Sequence, residues 1–179
     1  MTNYTRPLLE LSGLVNTDDP DQPWVQSGHI VLEIDTGSTG KPGHTAIVVP
    51  NSVTSSPIID LILYFHGTHA PRIQDYVRNR KFKSILEANG KRVVLAAPTL
   101  GWESEFGKLG QATPLRAYIA TVLQALADYG PFNAAPKVGS LILAGHSGGG
   151  RALIAAAEAL DGAPDLRTPE SGCRLSAPR

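Results

Sequence analysis

Cysteine is nearly missing from this chain: Cys173 is the single one in 179 residues, which excludes an internal disulfide and a cysteine-rich zinc site. An excess of either charge is missing as well. Sixteen basic residues balance sixteen acidic ones, and the one basic run, Arg78 to Lys83, reads as a solvated helix face rather than a nucleic-acid footprint. Apolar runs stop at about five or six residues, far below the roughly 20 that a helix needs to span a bilayer. The stretch Met1 to Asn16 has no basic segment leading into a long apolar one. Neither a signal peptide nor an anchor is expected from it, and a cytoplasmic location is the default expectation. Histidine is sparse, with five in all, and none follows Ser147.

What is present is a rhythm of short apolar strands and amphipathic helices. Residues 1–27 are rich in proline, aspartate and polar side chains and read as an irregular lead-in. His29 to Asp35 and His44 to Val49 carry short β-branched runs, separated by a glycine-rich segment, and predict a hairpin or two neighbouring strands. Asn51 to Pro57 is a polar turn. Ile58 to Phe65 is almost wholly apolar and ends in His66-Gly67-Thr68-His69. Gln74 to Asn89 predicts a helix with Tyr76 or Val77, Ile85 and Leu86 on its apolar side. Val93 to Ala97 predicts a strand closed by Pro98. Pro114 opens a second helix with a stripe of Leu115, Ile119, Val122, Leu123 and Leu126, and Gly130 and Pro131 end it. Ser140 to Ala144 is a further buried-type strand, followed by an alanine-rich helix over Gly148 to Leu160.

Strands that are apolar throughout and alternate with helices predict an α/β fold, a mostly parallel sheet with helices on both faces. The domain reading is a lead-in over 1–27, a core over 28–160 and an irregular tail over 161–179.

The stretch from Leu141 to Gly150 carries the chemistry. An apolar strand runs directly into Gly145-His146-Ser147-Gly148-Gly149, and a small-residue helix follows. A turn tight enough to project a serine hydroxyl from a strand end forces strained backbone angles and brings neighbouring backbone close. Gly145 and Gly149 supply the room that this needs. The Gly148 N–H then lies at the start of a helix, where the dipole favours negative charge. A glycine-rich phosphate cradle is the alternative for such a turn, but the lysine of a phosphate loop and the glycine spacing of a dinucleotide site are both missing.

Gly145 to Gly149, taken with Leu61 to Thr68, resembles the α/β-hydrolase superfamily over about residues 28–160. The resemblance implies Ser147 as nucleophile and an oxyanion hole formed by the backbone N–H groups of Thr68 and Gly148. It implies Gly145, His146 and Gly149 as elbow support, with His66, Gly67, His69 and Trp102 as candidate pocket residues. It calls for no cofactor and no metal. The family order is nucleophile, then acid, then histidine, and here no histidine follows the serine. Asp161 and Asp165 lie in the right direction but soon after the helix. His146 is expected to be a packed support, His66 structural within its turn, His69 on the oxyanion side, and His29 and His44 on the amino-terminal strands.

The resemblance also implies strands beyond Ser140 to Ala144, so that strand is expected to form an exposed apolar edge and the tail to reflect a truncation or frame shift. Such an edge favours pairing with a second copy of the chain. The loop Thr99 to Gln111, with Trp102, Glu103, Glu105 and Phe106, is a candidate pocket wall, and a solvated connection with one packed tryptophan is the alternative. The sequence thus points to hydrolysis of a small-molecule carboxylic ester, in preference to an amide, through an acyl-enzyme on Ser147. The alternative from another class is a non-catalytic remnant or binding module.

Overall fold

The computed structural model describes residues 24–26, 28–34, 36, 44–53, 56–68, 73, 76–77, 80–89, 92–100 and 106–161. Six strands form one sheet: β1 (Trp24–Gln26), β2 (His29–Glu33), β3 (His44–Val48), β4 (Ile58–Phe65), β5 (Val93–Pro98) and β6 (Lys137–Gly145). Their spatial order is β1-β2-β3-β5-β4-β6. The first three pairings, β1 with β2, β2 with β3 and β3 with β5, are antiparallel, whereas β4 is parallel to both β5 and β6. Four of the six strands, β2, β4, β5 and β6, therefore point the same way, and the α/β class holds.

The helices α1 (Phe82–Ala88), α2 (Ala112–Tyr129) and α3 (Gly149–Asp161) cover this sheet. On one face, Leu61, Leu63 and Phe65 of β4 and Leu141 and Leu143 of β6 pack against Leu115, Tyr118, Ile119 and Val122 of α2 and Ala152 and Ala156 of α3. Alanines let α3 lie close to the strands. On the other face, Val31, Ala46, Val48, Leu95 and Ala97 meet Ile73, Tyr76, Val77 and Leu86. Each large aliphatic side chain removed from water here stabilises the fold by roughly 1.5–3 kcal/mol.

The cover of the second face is uneven. Along β4 the residues turned toward α2 and α3 are fully buried, and the alternate ones are half-buried, so burial alternates where composition does not. α1 has only seven residues, and although its Phe82 packs on Tyr64 with ring centroids 4.8 Å apart, Ile62 and Tyr64 stay only partly buried.

The structure departs from expectation in several details. The segment 1–27 is not irregular throughout, since β1 pairs with β2 through the turn at Gly28, which has φ +80°. The helix expected over Gln74 to Asn89 is not continuous. Lys81 adopts φ +54° at the start of α1, and this left-handed residue resets the helical phase between Val77 and Ile85. Leu86 is buried in consequence, and Ile85 is 52% exposed. β6 is four residues longer than Ser140 to Ala144 and contains a bulge: Ile59 faces Val138 and Asp60 faces Ser140, so Gly139 is the extra residue. A Cβ there would press on Ile58 Cγ2 at 2.9 Å.

β6 is indeed the last strand in the order, as expected for an edge. The edge is not an apolar side-chain surface, however. Leu141 and Leu143 are 5% and 1% exposed because both point under the helices, and what β6 presents sideways is backbone.

One long-range contact had no signal in the sequence. Tyr118 of α2 is fully buried, and its hydroxyl lies 3.0 Å from Thr45 Oγ1 on β3. Burial pushes the Tyr118 phenol well above the ordinary tyrosine range, and the bond to Thr45 opposes that shift only in part.

Candidate active site

β6 ends at Gly145 and α3 starts at Gly149, so His146, Ser147 and Gly148 turn the chain. Three short-range bonds close the turn: Gly149 N–H to His146 O at 3.0 Å, Gly150 N–H to Ser147 O at 3.1 Å and Arg151 N–H to Gly148 O at 3.3 Å. Ser147 has φ +53°. A residue with a Cβ is disfavoured there by on the order of 1–2 kcal/mol, whereas glycine enters freely. A serine held in that conformation and exposed to solvent is a locally strained choice.

The turn is pinned to the end of β4. His146 N–H donates to Phe65 O at 3.0 Å. Gly149 lies so close to the same strand end that a Cβ on it would collide with the Phe65 carbonyl oxygen and sit 2.7 Å from His66 O. At Gly145 a Cβ would approach Gly149 O to 3.1 Å. These contacts account for both glycines that the sequence singled out.

Gly67 brings the second element into the site. A Cβ there would stand 3.0 Å from Ser147 Cβ and 3.2 Å from His146 O, so the His66–Thr68 turn and the serine turn are in contact. The Thr68 N–H and the Gly148 N–H have no acceptor among the described residues, and Thr68 is exposed. Ser147, Gly67, Thr68 and Gly148 are therefore clustered at the same end of the sheet. His69 and Trp102, named above as candidate pocket residues, lie outside the described residues, as do Asp165, Glu103 and Glu105.

His66 is 5% exposed, so it does not line an open pocket. Its Nδ1 is 2.8 Å from Gly67 O, and its Nε2 accepts the Leu100 N–H at 2.9 Å. A carbonyl oxygen only accepts, so Nδ1 carries the proton and Nε2 is bare. Tyr76 lies next to the ring, with centroids 5.9 Å apart. Its hydroxyl is 2.9 Å from that of Tyr64, and the Arg80 guanidinium sits 5.3 Å over the Tyr76 ring. Burial first, and the Tyr76 hydroxyl second, raise the Tyr64 phenol above its ordinary value.

His146 is corrected: it is exposed and not packed, and the support that this position gives runs through its backbone. Phe106 is also corrected. It is buried edge-on against Phe65, with centroids 4.7 Å apart, and so belongs to the core under β4 rather than to a pocket wall. The other histidines sit elsewhere. His44 begins β3 and, through its carbonyl, accepts Thr99 N–H at 2.7 Å, which places it at the same end of the sheet as the serine. Three strand spacings separate β3 from β6, about 14 Å. His29 opens β2 at the opposite end. Asp161 closes α3, twelve residues and roughly 18 Å along the helix from Gly149.

A cavity of about 400 Å3 lies at the far end of the sheet, between Gly28, Ile30, Val49, Asn51 and Tyr129, and is separate from this cluster. Among the described residues no group of three or more His, Cys, Asp or Glu side chains is placed to hold a metal ion, and no helix is long and apolar enough to cross a membrane.

No family model matches this chain, and no curated protein is found as a relative. Among solved structures the chain is similar to the rice cell wall degrading esterase LipA from Xanthomonas oryzae, with 18% identity and a TM-score of 0.49 over 81% of this chain and 40% of that one. It is also similar to an S-formylglutathione hydrolase from Agrobacterium tumefaciens, with 15% identity and a TM-score of 0.45 over 85% of this chain and 59% of that one. A third is the siderophore hydrolase EstA from Aspergillus nidulans, with 13% identity and a TM-score of 0.39 over 85% and 72%. The chain thus spans well under half the length of the esterase from Xanthomonas oryzae. These are likenesses of shape at low identity, and the case for a site rests on the geometry around Ser147.

Proposed function

We propose that this chain carries the nucleophile and oxyanion hole of a serine hydrolase acting on small-molecule carboxylic esters. The observation that carries the reading is Ser147: exposed, at φ +53° between a strand and a helix, and against Gly67. In this reading Ser147 Oγ bonds to the ester carbonyl carbon as its proton passes to water or to a general base that the described residues do not supply. The carbonyl oxygen takes up negative charge between the Thr68 and Gly148 N–H groups, each worth roughly 3–4 kcal/mol in such a transition state. Collapse then expels the alcohol and leaves an acyl-enzyme, which water hydrolyses. Esters are favoured over amides because an alkoxide leaves with less help from a general acid.

A second reading has its own support: a non-catalytic module that keeps the fold and lacks the base. Both ring nitrogens of His66 are already engaged, and His44 is about 14 Å away across the sheet. The two readings separate in one experiment. The chain is treated with a fluorophosphonate probe and assayed with a short-chain nitrophenyl ester, with Ser147→Ala as control. Labelling at Ser147 with turnover supports the hydrolase, and folded protein with neither supports the module. Pairing of the β6 edge, which has no neighbouring strand among the described residues, with a second copy is a companion proposal, read as a concentration-dependent dimer in sedimentation velocity.

A further inference from the structure

We propose that His66 is a positioning residue that sets the direction of the Thr68 N–H, and that its neutral Nδ1–H tautomer is what does so. The inference deepens the hydrolase reading and rests on it for its meaning, though not for its test.

A single peptide plane links the two groups. Gly67 O is held 2.8 Å from His66 Nδ1, so the Gly67 carbonyl points back at the ring. The Gly67–Thr68 peptide is trans, since the described residues contain no cis bond, and in a trans peptide the C=O and the next N–H point in opposite directions. Drawing the carbonyl toward His66 therefore turns the Thr68 N–H away from it. Gly67 has no side chain to restrain its own dihedral angles, so without the ring this plane would rotate with little resistance.

The ring in turn has no freedom to choose another tautomer. The Leu100 N–H arrives at Nε2 at 2.9 Å, and a nitrogen that accepts there cannot also carry a proton. The proton is thereby left on Nδ1, the nitrogen that faces Gly67 O. Leu100 opens the loop after β5, so this loop and the candidate oxyanion donor are joined through one imidazole. Tyr76, with Tyr64 and Arg80 beyond it, backs the ring and keeps it from swinging out.

The test needs no turnover. In the folded chain, 15N spectra of the histidine rings should place the His66 proton on Nδ1 and a bare, imine-type nitrogen at Nε2. The residual dipolar coupling of the Thr68 amide reads the direction of its N–H, and couplings elsewhere confirm that a variant is folded. His66→Asn keeps a donor where Nδ1 stands, and the Thr68 coupling should match the parent. His66→Gln places an acceptor near Leu100 but no donor at Gly67 O, and the coupling should shift. A proton found on Nε2 of the parent, or a Thr68 coupling unchanged in His66→Gln, would overturn the proposal. The tautomer measurement stands even if a variant fails to fold. A parent that shows the expected tautomer and couplings while Ser147 stays inert to the probe would sink the hydrolase reading and leave this one intact.

Discussion

Gly67 and Ser147 touch: a methyl group placed on Gly67 would stand 3.0 Å from Ser147 Cβ. That separation is tighter than an ordinary carbon contact, and its other near neighbours are the His146 backbone oxygen and the His146 ring. Gly67→Ala must therefore push the two turns apart by a few tenths of an ångström. The expected result is a fall of about tenfold in the rate of fluorophosphonate labelling at Ser147, with a stability loss of about 1 kcal/mol by urea denaturation. An unchanged labelling rate would show that the two turns do not act together.

The backbone of Ser147 predicts a trade between stability and chemistry. Ser147→Gly removes the hydroxyl and relieves the left-handed strain, whereas Ser147→Ala removes the hydroxyl and keeps the strain. Both should abolish labelling, and the glycine variant should be the more stable of the two by about 1 kcal/mol in urea. Equal stabilities would mean that the turn carries no such strain.

Gly149 has no room for any side chain, because the space is taken by carbonyl oxygens of Phe65 and His66 and backbone cannot rotate aside as a side chain can. Gly149→Ala is expected to cost on the order of 3 kcal/mol, seen as a large drop in the urea midpoint. Gly150, one residue on, has nothing within 4 Å of the point where a Cβ would stand, and Gly150→Ala should be neutral or mildly stabilising.

Tyr118 and Thr45 form a buried hydroxyl pair 3.0 Å apart. Removing either partner, by Thr45→Val or Tyr118→Phe, strands the other and should cost about 1–3 kcal/mol, while the double variant should recover much of that loss. A thermodynamic cycle in urea reads the coupling directly.

The same phenol gives a pH dependence. Burial raises the Tyr118 pKa in the folded chain above its unfolded value, so the neutral form is favoured by folding. Its contribution is fully present below the unfolded value near pH 10 and is lost as pH rises beyond that. Tyr64 shifts in the same direction. Stability measured from pH 9 to 11 should fall, and Tyr118→Phe should make the slope shallower; an identical slope would assign the alkaline loss to other groups.

The reach of the sequence can be judged residue by residue. The serine turn was legible because its constraints are local: Gly145 and Gly149 mark close backbone approach, and the apolar run before them and the alanines after them fix strand and helix. β4 was legible to the residue for the same reason, as eight apolar-rich positions lie between a polar turn and His66-Gly67. The break at Lys81 was not, since nothing in the composition of Arg78 to Lys83 requires a left-handed lysine, and the helical spacing runs straight through it. Tyr118 with Thr45 and His66 with Leu100 carry no local signal, because such pairs are created only when the sheet order is set. His146 was expected to be packed and is not. Its position on the turn gives the backbone contact to Phe65 and leaves the side chain to solvent.

In the strand order β6 has β4 beside it and no described strand on its other flank. Among the described residues, the close backbone contacts of the serine turn, to Phe65, His66 and Gly67, all lie at the end of β4. A fluctuation that unzips the upper end of β4 from β6 would therefore part the serine turn from the Gly67–Thr68 turn. Amide exchange at Ala144 and His146 should consequently report the lifetime of the whole arrangement.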